Sequence, residues 1–144
     1  MNAAWEAERF AALLEACGIN EFLPRLPDGI NTRPGEGGQL LSVGQAQRVA
    51  VARALYKRSH FLLLDEPAAS LDALSERHVM TALNQAASRQ TTLMITHQID
   101  TLSRWQTLWV LEAGKLVQQG EWQALSQQPG AFREMLQHRQ QEIR

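Results

Sequence analysis

The chain has 144 residues, 44% apolar and 20% charged, with 14 Lys and Arg against 15 Asp and Glu. That is one ordinary domain at most, large enough to bury a core, and it excludes the disordered, collagen-like and disulfide-stapled classes. A formal charge of -1 gives no basic field for a nucleic-acid backbone and no polybasic membrane patch. No apolar run approaches the about 20 residues of a membrane span. Met1-Asn2-Ala3-Ala4-Trp5-Glu6 has neither the basic start nor the apolar stretch of a secretory signal, and the lone Cys17 has no internal disulfide partner.

Residues 3 to 17 carry Trp5, Phe10, Leu13, Leu14 and Cys17 at helical spacing, and Gly18 follows where a C-cap glycine belongs. The spacing predicts a first helix. Pro24, Pro27, Gly29, Pro34 and Gly35 through Glu36-Gly37-Gly38 read as loop, with room for a short helical turn around Asn20 to Leu23. A second helix is predicted over Val43 to Tyr56 from Val43, Ala46, Val49, Ala50 and Ala54, its start marked by the S-x-x-Q capping box of Ser42 to Gln45. Phe61-Leu62-Leu63-Leu64 reads as a fully buried strand, and Thr92-Leu93-Met94-Ile95 as another. Between them Asp72 is placed to cap a helix with Val79, Leu83 and Ala86 on one side. Thr107 to Leu111 and Lys115 to Gln119, joined across Glu112-Ala113-Gly114, read as a hairpin or two neighbouring strands, and the segment from Glu121 to Arg144 favours helix, broken at Pro129-Gly130. Strand, helix, strand with continuous apolar strands predicts a parallel α/β sheet.

Ligands of such sheets bind beyond the carboxyl ends of the strands, so Asp65 and Glu66, directly after Leu64, point to a site. An aspartate there can hold Mg²⁺ and the next glutamate can polarise a water; taken alone, the pair is equally ordinary turn chemistry ahead of Pro67. Leu41-Ser42-Val43-Gly44-Gln45 opens a helix whose free N-H groups and dipole favour an anion, and taken alone is a plain capped helix. Asp72 alone is most simply an N-cap, and His97 alone a strand-end histidine.

Together and in this order, Leu41-Ser42-Val43-Gly44-Gln45, Phe61 to Pro67, Ser70-Leu71-Asp72 and His97 resemble the signature motif, Walker B strand, D-loop and switch histidine of the ATP-binding cassette (ABC) family. The resemblance covers nearly the whole chain. Ala46 to Leu55, Ala68-Ala69, Gln90 to Met94 and Gln98 are similar to one subunit type of the heterodimeric exporters that serve cytochrome bd biogenesis. The pattern G-x-x-x-x-G-K-[ST] is absent: the only Gly-Lys pair is Gly114-Lys115, followed by Leu116.

The resemblance therefore implies part of a P-loop NTPase-type ABC domain, the C-terminal part, without the Walker A half. It would divide into a helical subdomain with the signature (1–58), the stretch from Walker B to the switch histidine and the following strands (59–120), and C-terminal helices (121–144). It also implies ATP and Mg²⁺, with Asp65 serving the metal, Glu66 as base for water and His97 orienting the γ-phosphate. Ser42, Val43, Gly44 and Gln45 would meet the nucleotide held by a second ABC subunit, and Asp72 would contact that subunit across the sandwich. A fused permease, a place at the cytoplasmic face of the bacterial inner membrane with the segment itself soluble, export of small thiols such as cysteine or glutathione, or of haem, and no nucleic-acid partner complete the implied picture. Two departures stand out: Val43 replaces the usual glycine of the signature, and Ala68 replaces a frequent threonine. The rival readings are the ATPase head of a DNA-repair or chromosome-maintenance protein, which the absence of heptads and of a basic face disfavours, and a segment with no catalysis of its own.

Overall fold

The computed structural model describes residues 6–35 and 40–142, so the predicted roles of Ala3 to Trp5 and of Glu36-Gly37-Gly38 lie outside the described residues. The chain forms two compact units, Met1–Thr96 and His97–Arg144.

In the first unit helix α1 spans Ala7–Ala16. Glu6 opens it, its N-H donating to the Tyr56 hydroxyl at 3.0 Å. Gly18, at φ 63°, turns the chain out of the helix in the left-handed region that L side chains avoid. A Cβ there would also stand 2.8 Å from His78 Nδ1 and 3.0 Å from Arg48 Nη1, so both backbone and space require glycine. Three short 3₁₀ turns follow, Ile19–Glu21, Leu23–Arg25 and Gly29–Asn31, where one was predicted.

Helix α2 spans Val43–Tyr56, as its capping box predicts. Its inward residues are Arg48, Val51, Ala52 and Leu55, while Val43, one of the apolar positions that predicted the helix, is 72% exposed and Ala50 is exposed. Arg48 Nη1 donates to the Gly18 carbonyl at 2.9 Å and to Glu21 at 2.8 Å, and its guanidinium lies 4.9 Å from the centre of the Phe22 ring. A paired, stacked arginine can be buried, and Arg48 takes its place among the inward residues in this way.

Strand β1, Phe61–Asp65, pairs in parallel with β2, Thr91–Ile95, in the register Phe61 to Thr91 through Asp65 to Ile95. Helix α3, Ala73–Ala87, connects them, as a parallel crossover requires. Leu62 and Leu64 join Val51, Leu55, Val79, Leu83, Cys17 and Phe22 in one core. The prediction of two fully buried strands is corrected: Phe61 is 52% exposed and Leu63 61%, with Leu93 and Ile95 also exposed. Successive strand side chains alternate between faces, and only one face of this pair is covered among the described residues.

In the second unit a 3₁₀ helix, Ile99–Arg104, leads to an antiparallel hairpin of β3, Leu108–Glu112, and β4, Lys115–Gly120. Ala113 and Gly114 both have positive φ, the backbone of a tight two-residue hairpin turn. Helices α4, Trp122–Gln127, and α5, Ala131–Glu142, are separated at Pro129-Gly130 as predicted. Ile99, Leu108, Val110, Leu125 and Phe132 form this unit's own core. No helix among the described residues is long and apolar enough to cross a membrane.

Candidate functional site

The carboxylate loop begins where β1 ends. Asp65 is its last residue and is exposed. Glu66 extends the ladder by one bond, donating its N-H to the Ile95 carbonyl at 2.9 Å, and then departs from it: its φ is 46°. A non-glycine residue in the left-handed region costs of order 1–3 kcal/mol and persists where its surroundings over-determine it. Here they do. The Glu66 carbonyl accepts from Gln47 Nε2 at 2.7 Å and from the Ala69 N-H at 3.3 Å, and the Thr96 hydroxyl lies 3.4 Å from Glu66 Oε2. Pro67 and Ala68 are buried beneath, and the Leu71 N-H donates to the Ala68 carbonyl at 3.2 Å.

The start of α2 is closed on itself. Ser42 Oγ accepts from the Gln45 N-H at 3.2 Å while Gln45 Oε1 accepts from the Ser42 N-H at 2.9 Å. Both side-chain acceptors are thereby used, leaving the Ser42 hydroxyl proton and the Gln45 amide protons to donate outward. The N-H groups of Val43 and Gly44 belong to the first helical turn, which has no intrahelical acceptors for them, at the positive end of the dipole. Val43 does not pack on the inner side of the helix; it stands at this exposed surface.

Gly44 also packs closely on a neighbouring loop. A Cβ on it would meet the Ser70 carbonyl oxygen at 3.0 Å and Leu71 Cδ2 at 3.3 Å, so its bare backbone faces the loop that follows the carboxylates. One helical turn on, Gln47 reaches the same loop: besides its bond to the Glu66 carbonyl, its Oε1 accepts from the Ser70 N-H at 3.2 Å. Gln47 carried no role in the sequence reading. The signal available was its position three residues after Gly44, on the same helix face.

Asp72 caps α3. Oδ1 accepts from the N-H groups of Leu74 and Ser75 at 3.1 and 3.0 Å, and Oδ2 from the Ser75 hydroxyl at 2.7 Å. These bonds, those to Ser75 first, hold its carboxyl below the usual value. The first unit thus bonds Gln47 to Glu66 and Ser70, with Gly44 packed closely on Ser70, Ser42 and Gln45 at the start of the same helix, and Asp72 two residues beyond Ser70 at the cap of α3. His97 is the first residue of the second unit, exposed, its carbonyl accepting from the Ile99 N-H at 3.1 Å. It borders an open depression of about 380 Å³ with Val110, Met135 and His138. Asp65 offers one hard, exposed carboxylate at a strand end. That donor fits Mg²⁺, which is commonly held by one or two carboxylates and takes its other oxygens from phosphates and water.

The family profile described as ABC transporter matches residues 2–69. The glutathione/L-cysteine transport system ATP-binding/permease protein CydD of Escherichia coli is 53% identical over 136 residues, 94% of this chain and 23% of the relative. The transport ATP-binding protein AarD of Providencia stuartii is 53% identical over 140 residues, 97% and 24%. An ATP-dependent lipid A-core flippase of Burkholderia pseudomallei is 43% identical over 127 residues, 88% and 21%. A solved bacterial Atm1-family ABC exporter with ATP bound superposes with a TM-score of 0.86 at 33% identity, over 96% of this chain and 24% of that one. The chain spans about a quarter of the length of these relatives. Its strand-end carboxylates and capped helix start lie in a fold shared over nearly all its residues, and the chain belongs to the ABC transporter family, within the ATP-binding domain.

Proposed function

We propose that these residues serve an exporter as the hydrolytic carboxylate of one ATP site and the phosphate grip of another. The observation that carries this is Glu66: a carboxylate at the end of a parallel strand, in a strained backbone conformation fixed by hydrogen bonds at its N-H and its carbonyl. Strain retained at a strand end is the mark of a functional position. Glu66 acts as the base for water, and His97 orients the γ-phosphate. Asp65 would hold Mg²⁺, which when bound neutralises phosphate charge. Ser42, Val43, Gly44 and Gln45 meet the nucleotide held by a second ABC subunit, through the donors that their capping box leaves free. Asp72, besides capping α3, faces that subunit. The γ-phosphate then joins two subunits, and its hydrolysis removes the anion that holds them.

Identity of 53% to a protein named for glutathione and L-cysteine transport, against 43% to a lipid A-core flippase, supports export of small thiols, coupled to a permease at the bacterial inner membrane. The exposed apolar face of β1 and β2 is then where the rest of the domain packs. Because the phosphate-cradling G-x-x-x-x-G-K-[ST] pattern is absent from these residues, the chain alone binds ATP weakly and hydrolyses none. The test is Glu66→Gln in the exporter that contains this sequence. The variant keeps size and hydrogen bonding and removes the base; wild-type turnover would leave Glu66 a structural residue.

A further inference from the structure

We infer that Gln47 is a positioning residue, a side chain that ties the phosphate-facing start of α2 to the backbone of the catalytic glutamate. This rests on the reading of Glu66 as base and goes beyond it. The Gln47 amide is used at both ends on one loop: Nε2 donates to the Glu66 carbonyl at 2.7 Å and Oε1 accepts from the Ser70 N-H at 3.2 Å. The first is short for an N-H to O bond. The bonded carbonyl is that of the residue at φ 46°, a conformation with no intrinsic preference for glutamate. The direction of the Glu66 side chain follows from that backbone, so whatever holds the carbonyl aims the carboxylate.

The helix cannot move without the loop. One turn before Gln47, Gly44 meets the Ser70 carbonyl so closely that even a methyl group would stand at 3.0 Å. Two contacts a turn apart, one steric and one bonded at both amide atoms, make α2 and the 66–70 loop a single mechanical piece. Ser42 to Gln45 form the first turn of the same helix. A shift of that turn as it grips a phosphate is delivered through Gln47 to the Glu66 carbonyl. Engagement of the nucleotide held by the partner subunit thereby sets the aim of this chain's own base.

The test compares ATP turnover by the exporter carrying Gln47→Met, which keeps length and flexibility and drops both hydrogen bonds, and Gln47→Glu, which keeps the acceptor for Ser70 and sets a carboxylate against the Glu66 carbonyl. The expected result is a kcat lowered about tenfold by Gln47→Met, equivalent to about 1.4 kcal/mol, with KM for ATP within about twofold and the protein fully folded at the assay temperature. Gln47→Glu loses more, and its deficit relative to wild type narrows between pH 8 and 6 as the new carboxyl gains a proton to donate. Wild-type kcat in Gln47→Met, or equal activity of the two variants at every pH, overturns the inference. So does a loss carried by KM, or one that disappears when activity is expressed per folded molecule. Glu66→Gln runs alongside: if it retains turnover the base assignment itself fails, whereas if it is dead and Gln47→Met is fully active only the positioning role fails.

Discussion

The two ends of the candidate site are built by opposite means. The start of α2 is held by two residues three apart, Ser42 and Gln45, bonded reciprocally to each other, and presents its donors from an unstrained helical turn. The loop at Glu66 is strained and is held from outside, by Ile95 on the neighbouring strand and Gln47 on the preceding helix. Local self-capping suits a surface that meets a ligand from another molecule. Support from distant residues suits a group whose aim must not drift.

The sharpest way to separate strain from chemistry at the second end is Glu66→Gly. Turnover in the exporter is expected to fall by about 10² to 10⁴, the usual worth of a general base, while stability rises by about 1 kcal/mol, because glycine adopts a positive φ without penalty. Loss of both activity and stability would mean that the side chain, and not the backbone alone, holds the loop.

Gly44→Ala tests the junction of the two ends. Overpacking against the Ser70 carbonyl costs about 1–3 kcal/mol, offset by up to about 1 kcal/mol of helix propensity, so a net loss near 1 kcal/mol in chemical denaturation is expected together with lower turnover. Val43→Gly, on the exposed side of the same turn, is expected to leave the fold nearly unchanged and to raise turnover at the partner-held nucleotide by a factor of a few. Equal effects of the two substitutions would erase the distinction between a packed and a ligand-facing residue.

These contrasts mark what the sequence discloses. The capping box, the Asp72 cap and the hairpin at Ala113-Gly114 were legible because their partners lie within three or four residues. The inward face of α2 was not, because burial of Arg48 depends on Gly18, Glu21 and Phe22, from a segment about 30 residues away that apolar periodicity does not report. The left-handed backbone of Glu66 and the reach of Gln47 were hidden for the same reason: Pro67 biases the residue before it toward extended backbone, against the φ observed, and a glutamine on a helix has no periodic signature. Phe61 to Leu64 predicted a buried strand, yet alternate residues are exposed, since burial of the second face depends on what packs against it.

Smaller effects bear on the scaffold beneath both ends. Asp72→Ala is expected to lower the thermal midpoint, and Asp72→Asn, which keeps the acceptor, to lower it less. Because the folded carboxyl is held below its usual value, the cap is complete at pH values above the ordinary 3.8 and is lost as pH falls through the lower, folded value. A mutant whose stability matches the wild type at pH 7 would deny the cap any structural part and leave Asp72 to an interface alone. Cys17 is fully buried, and burial raises its thiol from the ordinary 9.0 to about 11, against a smaller lowering by Arg48. Native protein at pH 7.5 should resist a thiol reagent until it unfolds. The stability linked to this proton is complete below pH 9.0 and is lost as pH rises through about 11.

The central claim is that Glu66 activates water for attack on ATP, and the most direct measurement is the fate of one bound nucleotide. The exporter carrying Glu66→Gln, mixed with a single equivalent of γ-labelled ATP and Mg²⁺ and then diluted, should retain uncleaved ATP in a closed dimer over many wild-type turnover times. Release of labelled phosphate at the wild-type rate would contradict the claim.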